Sequence, residues 1–196
     1  MSDLTPEQRA ELLNRASSGD EDAWRTLVEL YLPRVHAVVC AQCHDPELAE
    51  EITQSTFATI VTKLADYHEE GRFESWLFRI AMNRLRDEMR RRKRHARPTE
   101  EATLVSMAGG ASTTDDHGAS DIRERVMRAI GELPETDREV LILRHVSGLS
   151  FKEVSEALDT PLGTLLARHH RALKKMKVIL ENDPENLKKG EGSSNE

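Results

Sequence analysis

Long apolar runs are missing from this 196-residue sequence. None approaches the about 18–20 residues that a membrane-crossing helix needs, so no membrane insertion is expected. Aromatic residues make up only 4%, and β-branched residues are sparse, which speaks against a sheet-rich fold. Two cysteines cannot build a disulfide framework and point to a reducing compartment. The N-terminal stretch MSDLTPEQRAELLNRASSGDEDAW has no apolar signal core, so the expected location is the cytoplasm. There is no Gly-rich phosphate loop, no Ser/His/Asp set, and no paired carboxylates beyond helix-surface charges. The chain is therefore expected not to be an enzyme, and no catalytic residue, metal or cofactor is assigned. An excess of base is also missing. Lys and Arg number 28 against 35 Asp and Glu, and the net charge of -7 argues at first against a nucleic-acid partner.

The distribution of that charge reverses the argument. Residues 84–97, RLRDEMRRRKRHAR, hold 8 bases and 2 acids, net +6, and residues 162–180 hold 5 bases and no acid. The surrounding segments together carry -18. Protein fields act within a Debye length of roughly 8 Å at physiological salt, so each basic block acts locally whatever the total. A basic run is as often a solvated helix face, so the blocks acquire meaning only from their placement.

The length fits one or two small domains, and the pattern is all-α, in two helical domains. Residues 98–121, PTEEATLVSMAGGASTTDDHGASD, lack a helical period and read as a flexible acidic linker. Residues 182–196 read as a disordered tail. The first domain is then 1–97 and the second 122–181. In the first, Asp20 caps a helix with Trp24, Leu27, Val28 and Tyr31 on its buried face, and Pro33 opens the next, with Val35, Val38 and Val39 inward. Asp45-Pro46 opens a third helix, with Leu48, Ile52, Thr56, Ile60 and Leu64 on one face and Glu47, Glu50, Glu51 and Gln54 on the other. After a loop at Gly71, FESWLFRIAMNRLRDEMRRRKR reads as one long helix, apolar at its start and basic at its end. That order also suits the macrodipole.

The second domain carries a sharper pattern. Ile122, Val126, Ile130 and Leu133 line a helix ended by Pro134. Thr136 to Glu139 and Ser150 to Glu153 both spell capping boxes. The short helix after Ser150, the turn Asp159-Thr-Pro-Leu-Gly163 and a final helix from about Thr164 form a helix-turn-helix pattern. Leu165, His169, Ala172, Met176 and Leu180 share the inner face of the final helix; Arg168, Arg171, Lys174 and Lys175 share the other. DNA presents one charge per roughly 1.7 Å of axis, and a helix enters its major groove by its N-terminal residues. That sets Thr164, Arg168 and Arg171 near base edges and Lys174 and Lys175 near phosphates. The ordinary alternative is a plain helical bundle.

The motifs LAEEITQSTFATI (48–60), FESWLFRIAMNRLRDEMRR (73–91) and LPETDREVLILRHVSGLSFKEVSEALDTPLGT (133–164), with Arg168 and Arg171-Ala172 after them, resemble bacterial sigma factors. The likeness is to the extracytoplasmic-function type, with regions 2 and 4 of the primary sigma family, over about residues 15–96 and 122–180. It implies a subunit that binds core RNA polymerase, at the β′ clamp and β flap, and directs initiation at promoter DNA. It also implies an anti-sigma factor as partner. By the same resemblance Glu51, Gln54 and Phe57, with Glu47 and Glu50 on the same polar face, dock on the polymerase. Tyr67, Arg72, Phe73, Asn83, Arg86, Arg90, Arg91, Lys93 and Arg94 serve the −10 element. The loop at about 66–73 corresponds to the one that captures an extruded base, where Tyr67 and Phe73 could stack, simple burial of Phe73 being an equal reading; Trp76 and Leu77 read as core. Thr164, Leu166, Ala167, Arg168, His170, Arg171, Lys174 and Lys175 serve the −35 element. The linker would follow the RNA-exit path.

Two features depart from the family pattern. Leu166 and Ala167 stand where a basic residue and Ser are common, leaving only apolar contact there, for example with thymine methyls. His169 stands where an aliphatic residue is usual and reads as a core histidine. Outside the pattern, Cys40-Ala-Gln-Cys43-His44 spells a haem-attachment motif, but that chemistry needs an export route. With His36 it could also hold zinc or form a thiol switch; two half-buried helix cysteines are the plainer reading. The competing function is a helix-turn-helix regulator that binds duplex operators without polymerase.

Overall fold

The computed structural model describes residues 4–95 and 117–183, with side chains described from 122 in the second segment. Among the described residues all regular structure is helical: α1 (Pro6–Ser17), α2 (Glu21–Cys43), α3 (Pro46–Lys63), α4 (Phe73–His95), α5 (His117–Gly131), α6 (Glu135–His145), α7 (Phe151–Leu158) and α8 (Leu162–Glu181). A single 3-10 turn, Leu64–Asp66, extends α3. Most of the stretch read as linker, and the tail from residue 184, lie outside the described residues.

Local chemistry explains most helix starts. Thr5 and Gln8 form a capping box ahead of α1. The Asp20 carboxylate accepts from the backbone N–H groups of Asp22 and Ala23, and Asp45 accepts from Leu48 N at 3.0 Å. Ser150 and Glu153 form the capping box that starts α7.

Several expectations are corrected. Pro33 does not open a helix; it lies exposed inside α2, which continues through it. Proline costs one backbone hydrogen bond there, and the full burial of Val35, Val38 and Val39 on one continuous face offsets that loss. Thr136 is not a cap, because Pro134 occupies the N-cap position of α6 and Glu139 is engaged elsewhere. Ile122 is 61% exposed rather than inward. α5 starts at His117, five residues inside the stretch read as linker. Extending an existing helix costs far less than nucleating one. α8 starts two residues before Thr164.

Helices α1–α4 form one half and α5–α8 the other, and the halves are packed together. α4 lies against α7 and α2 against α6. One contiguous apolar cluster runs from Leu12 and Leu27 through Phe78 and Leu85 to Val140, Leu143 and Leu165. A cavity of about 70 Å³ persists in the seam beside Leu85 and Arg86. At its wall Gln42 Oε1 and Arg138 Nε are buried without a protein partner.

Candidate nucleic-acid interface

The acidic face of α3 is set by its register. Leu48, Ala49, Ile52, Thr53, Thr56 and Ile60 are buried, which leaves Glu47, Glu50, Glu51 and Gln54 in solvent. Gln54 donates to Glu50 at 3.0 Å, one turn away. Phe57 belongs to the buried side. The four polar residues form one continuous surface, and Phe57 supports it from beneath.

The loop that joins α3 to α4 is fastened by Glu69. Its carboxylate accepts from the Tyr67 hydroxyl at 2.8 Å and from the Gly71 backbone N–H at 2.7 Å. Gly71 has φ +76°, a conformation that suits glycine. Tyr67 stacks on Trp76 with ring centroids 4.6 Å apart and planes 24° apart. Burial, with Glu69 accepting its proton, pushes the Tyr67 phenol well above its usual pKa, so it stays a hydrogen-bond donor. Phe73 is fully buried, edge-on to Tyr31 and Tyr67. Phe73 thus takes the buried of its two readings, and Trp76, read as core, is instead half-exposed beside Tyr67. Arg72 is exposed beside Glu70.

The basic end of α4 is neutralised far more than its sequence suggests. Arg86 forms a two-pronged pair with Glu139 of α6, at 2.7 and 3.1 Å, and also donates to Asn83. Glu139 is 4% exposed, so this is a buried ion pair across the seam. Its hydrogen bond to Glu139 raises the Arg86 pKa further. Arg91 and Arg92 both pair with Glu88, and Arg92 reaches Asp45 at 2.8 Å. Arg90 lies 3.8 Å from Asp87. Lys93 and Arg94 are exposed. Arg84, not assigned a role from sequence, donates to the hydroxyls of Ser55 and Thr59 and ties α4 to α3.

Other links across the seam also escaped the sequence reading. Arg34 holds Glu74 with two prongs, at 2.6 and 3.0 Å, and donates to the Ser147 carbonyl at 2.7 Å. Burial alone would raise the Glu74 pKa, but Arg34 outweighs it and the carboxylate is held below its usual range. Arg79 donates to the Glu156 carbonyl. His44 sits against Gly131 and 3.5 Å from Arg138; burial, then Arg138, lowers its pKa. Asp137 and Glu139 carried a signal, since each lies four residues before a buried leucine of α6, Leu141 and Leu143.

On α8, Leu165 and Ala172 are fully buried, which turns Thr164, Leu166, Ala167, His170, Arg171 and Lys174 outward. Arg171 is anchored by the buried Asp137 carboxylate at 2.7 and 3.2 Å, yet remains 61% exposed. Lys175 donates to the Glu132 carbonyl just past the end of α5. Arg168 is half-buried. His169 is half-buried too, with its Nε2 2.9 Å from that of His145 and the Phe151 ring edge-on beside it. The expected core histidine thus has a partner.

Cys40 and Cys43 end α2. Burial raises both thiols, Cys43 to about 11, and Cys43 donates to the Asp45 carbonyl at 3.3 Å. Thiols held protonated are poor metal ligands and poor nucleophiles. Among the described residues no helix is long and apolar enough to cross a membrane.

Known proteins align with this layout. Sigma-70 region 2 matches residues 27–95, and sigma-70 region 4 matches residues 123–176. The chain is 30% identical over 181 residues to the RNA polymerase sigma-H factor of Pseudomonas aeruginosa, covering 86% of this chain and 92% of that protein. It is 26% identical over 178 residues to the ECF RNA polymerase sigma factor SigW of Bacillus subtilis, covering 87% and 95%. Two solved structures share the fold. CnrH in complex with the cytosolic domain of CnrY has a TM-score of 0.68 at 24% identity, covering 89% of this chain and 97% of that one. The sigma factor RpoE in complex with the anti-sigma factor NepR from Bartonella quintana has 0.67 at 21% identity, covering 82% and 98%. With both regions present in order, and a relative of this identity covered almost end to end, the chain belongs to the extracytoplasmic-function family of RNA polymerase sigma factors.

Proposed function

We propose that this chain binds core RNA polymerase in the cytoplasm and directs initiation at promoters with −10 and −35 elements, without a catalytic step of its own. The observation that carries this is the presence, in one chain and in order, of a region 2 half and a region 4 half. In this reading Glu47, Glu50, Glu51 and Gln54 dock on the β′ clamp, backed by Phe57. Tyr67 and Trp76 offer an aromatic surface for an unstacked base. Arg86, Asn83, Arg90, Arg91, Lys93 and Arg94 hold the −10 strand, with Arg72 beside the loop. The α7–α8 pair enters the −35 major groove, and its second half meets the β flap. Residues 1–97 and 122–181 are the two working domains and 98–121 their connection. An anti-sigma factor is the regulatory partner, as for the solved relative named with one.

The packing adds a requirement. Promoter elements about 25 base pairs apart are separated by about 85 Å of B-DNA at 3.4 Å per step. Halves joined through Arg86 and Glu139 cannot reach both, so promoter binding requires the seam to open. Double substitution of Glu51 and Gln54 by alanine tests the docking reading. The expected result is loss of core binding with duplex binding intact. Intact core binding would favour an operator-binding regulator.

A further inference from the structure

The first two turns of α8 carry an unusual surface for a helix that reads base edges. Leu162 and Leu166 are 47% and 45% exposed and lie one turn apart on the same side. Gly163 and Ala167 flank them, and space around Gly163 is open to at least 4 Å. From Leu162 to Ala167 there is no Arg, Lys, Asn, Gln, Asp or Glu. The side chains that pair two-pronged with guanine or adenine, or accept from cytosine, are therefore missing from the first six residues of the helix, and Arg168, half-buried, is the first of them.

We infer, on the reading of α8 as the −35 recognition helix, that Leu162 and Leu166 select thymines in the −35 element through their C5-methyl groups. That methyl is the one apolar feature of the major-groove edge. A leucine laid on guanine or cytosine strips water from polar atoms and offers no partner in return, so discrimination works both for thymine and against G·C pairs. Two features of the same helix favour DNA over a protein as the occupant. Residues 162–180 contain no acid, and the exposed Arg171, Lys174 and Lys175 follow the leucines on the same helix, the two lysines where phosphates would run. A basic surround complements a polyanion.

The test uses holoenzyme assembled from the full chain and core polymerase. A promoter library randomised across the −35 region is selected for open-complex formation. Thymine is expected at two neighbouring steps. Replacing each selected thymine by uracil removes only the methyl and is expected to lower affinity about fourfold, the effect of one methylene-sized apolar group. Leu166→Ala should abolish the response to uracil at one step, and Leu162→Ala at the other. A −35 element that emerges but is indifferent to uracil overturns the inference and leaves the sigma-factor reading standing. Recovery of no −35 element overturns both. If Leu162→Ala and Leu166→Ala leave DNA selection unchanged but release a bound protein partner, the leucines form a protein-docking row and the inference is wrong.

Discussion

The two halves carry basic blocks of similar size, net +6 over residues 84–97 and +5 over residues 162–180, in different surroundings. On α4, Arg86 is tied to the buried Glu139 of the other half, while Arg91 and Arg92 pair with Glu88 and Asp45 at the surface. On α8 Arg171 pairs with the buried Asp137 and Lys177 lies 3.7 Å from Glu181, and both basic side chains stay exposed. Charge present in a sequence is thus not charge available to a ligand. Arg86 is held by the other half of the same chain, whereas Arg171, Lys174 and Lys177 stay at the surface of α8.

The largest test of this contrast is the buried pair. Glu139→Ala leaves the half-buried Arg86 without a carboxylate, with Asn83 as its remaining acceptor, and should cost about 3 kcal/mol in urea unfolding. Arg90→Ala, at an exposed pair, should change stability by no more than about 0.5 kcal/mol. Equal effects would erase the distinction between latched and solvent-facing charge. Next comes Asp137→Asn, which weakens the anchor of Arg171 and should cost about 1 kcal/mol in the same assay. It should also weaken duplex binding by the full chain, read by fluorescence anisotropy.

Smaller still is a pH effect. Burial, followed by the nearby His145, Arg144 and His170, lowers the His169 pKa below its usual 6.5, and burial lowers that of His44. Both are favoured neutral in the folded chain, so the unfolded chain binds more protons as pH falls through about 6.5. Stability should fall from there downward and be restored as pH rises. His169→Leu should flatten that slope in urea titrations run across the window, and an unchanged slope would remove His169 from the account. Ion pairs such as Arg34 with Glu74 act in a separate and lower window, since Glu74 is held below its usual range.

Much of this was legible locally. Asp20, Asp45-Pro46 and Ser150 with Glu153 mark real helix starts because caps are short-range chemistry. The buried faces of α3 and α8 follow from period alone. What failed was non-local. The Thr136 box looked complete, but Pro134 holds the cap position and Glu139 reaches across 53 residues to Arg86. Pro33 looked like a start because its cost is local while the valines that outweigh it are tertiary. Phe73 could be read either way because nothing in the loop reveals Tyr31 packed on it. Of the candidate site, the polar face of α3 and the exposed face of α8 were readable. The engagement of Arg86 and the pairing of Tyr67 with Trp76 were not, since both depend on which helices meet.

The most direct measurement is transcription by purified core polymerase, with and without this protein, on fragments of its genome. A transcript that starts at a fixed position only when the protein is added, and that is lost when either the −10 or the −35 element is scrambled, is the expected result. No protein-dependent start on any fragment, with the protein shown to be folded, would contradict it.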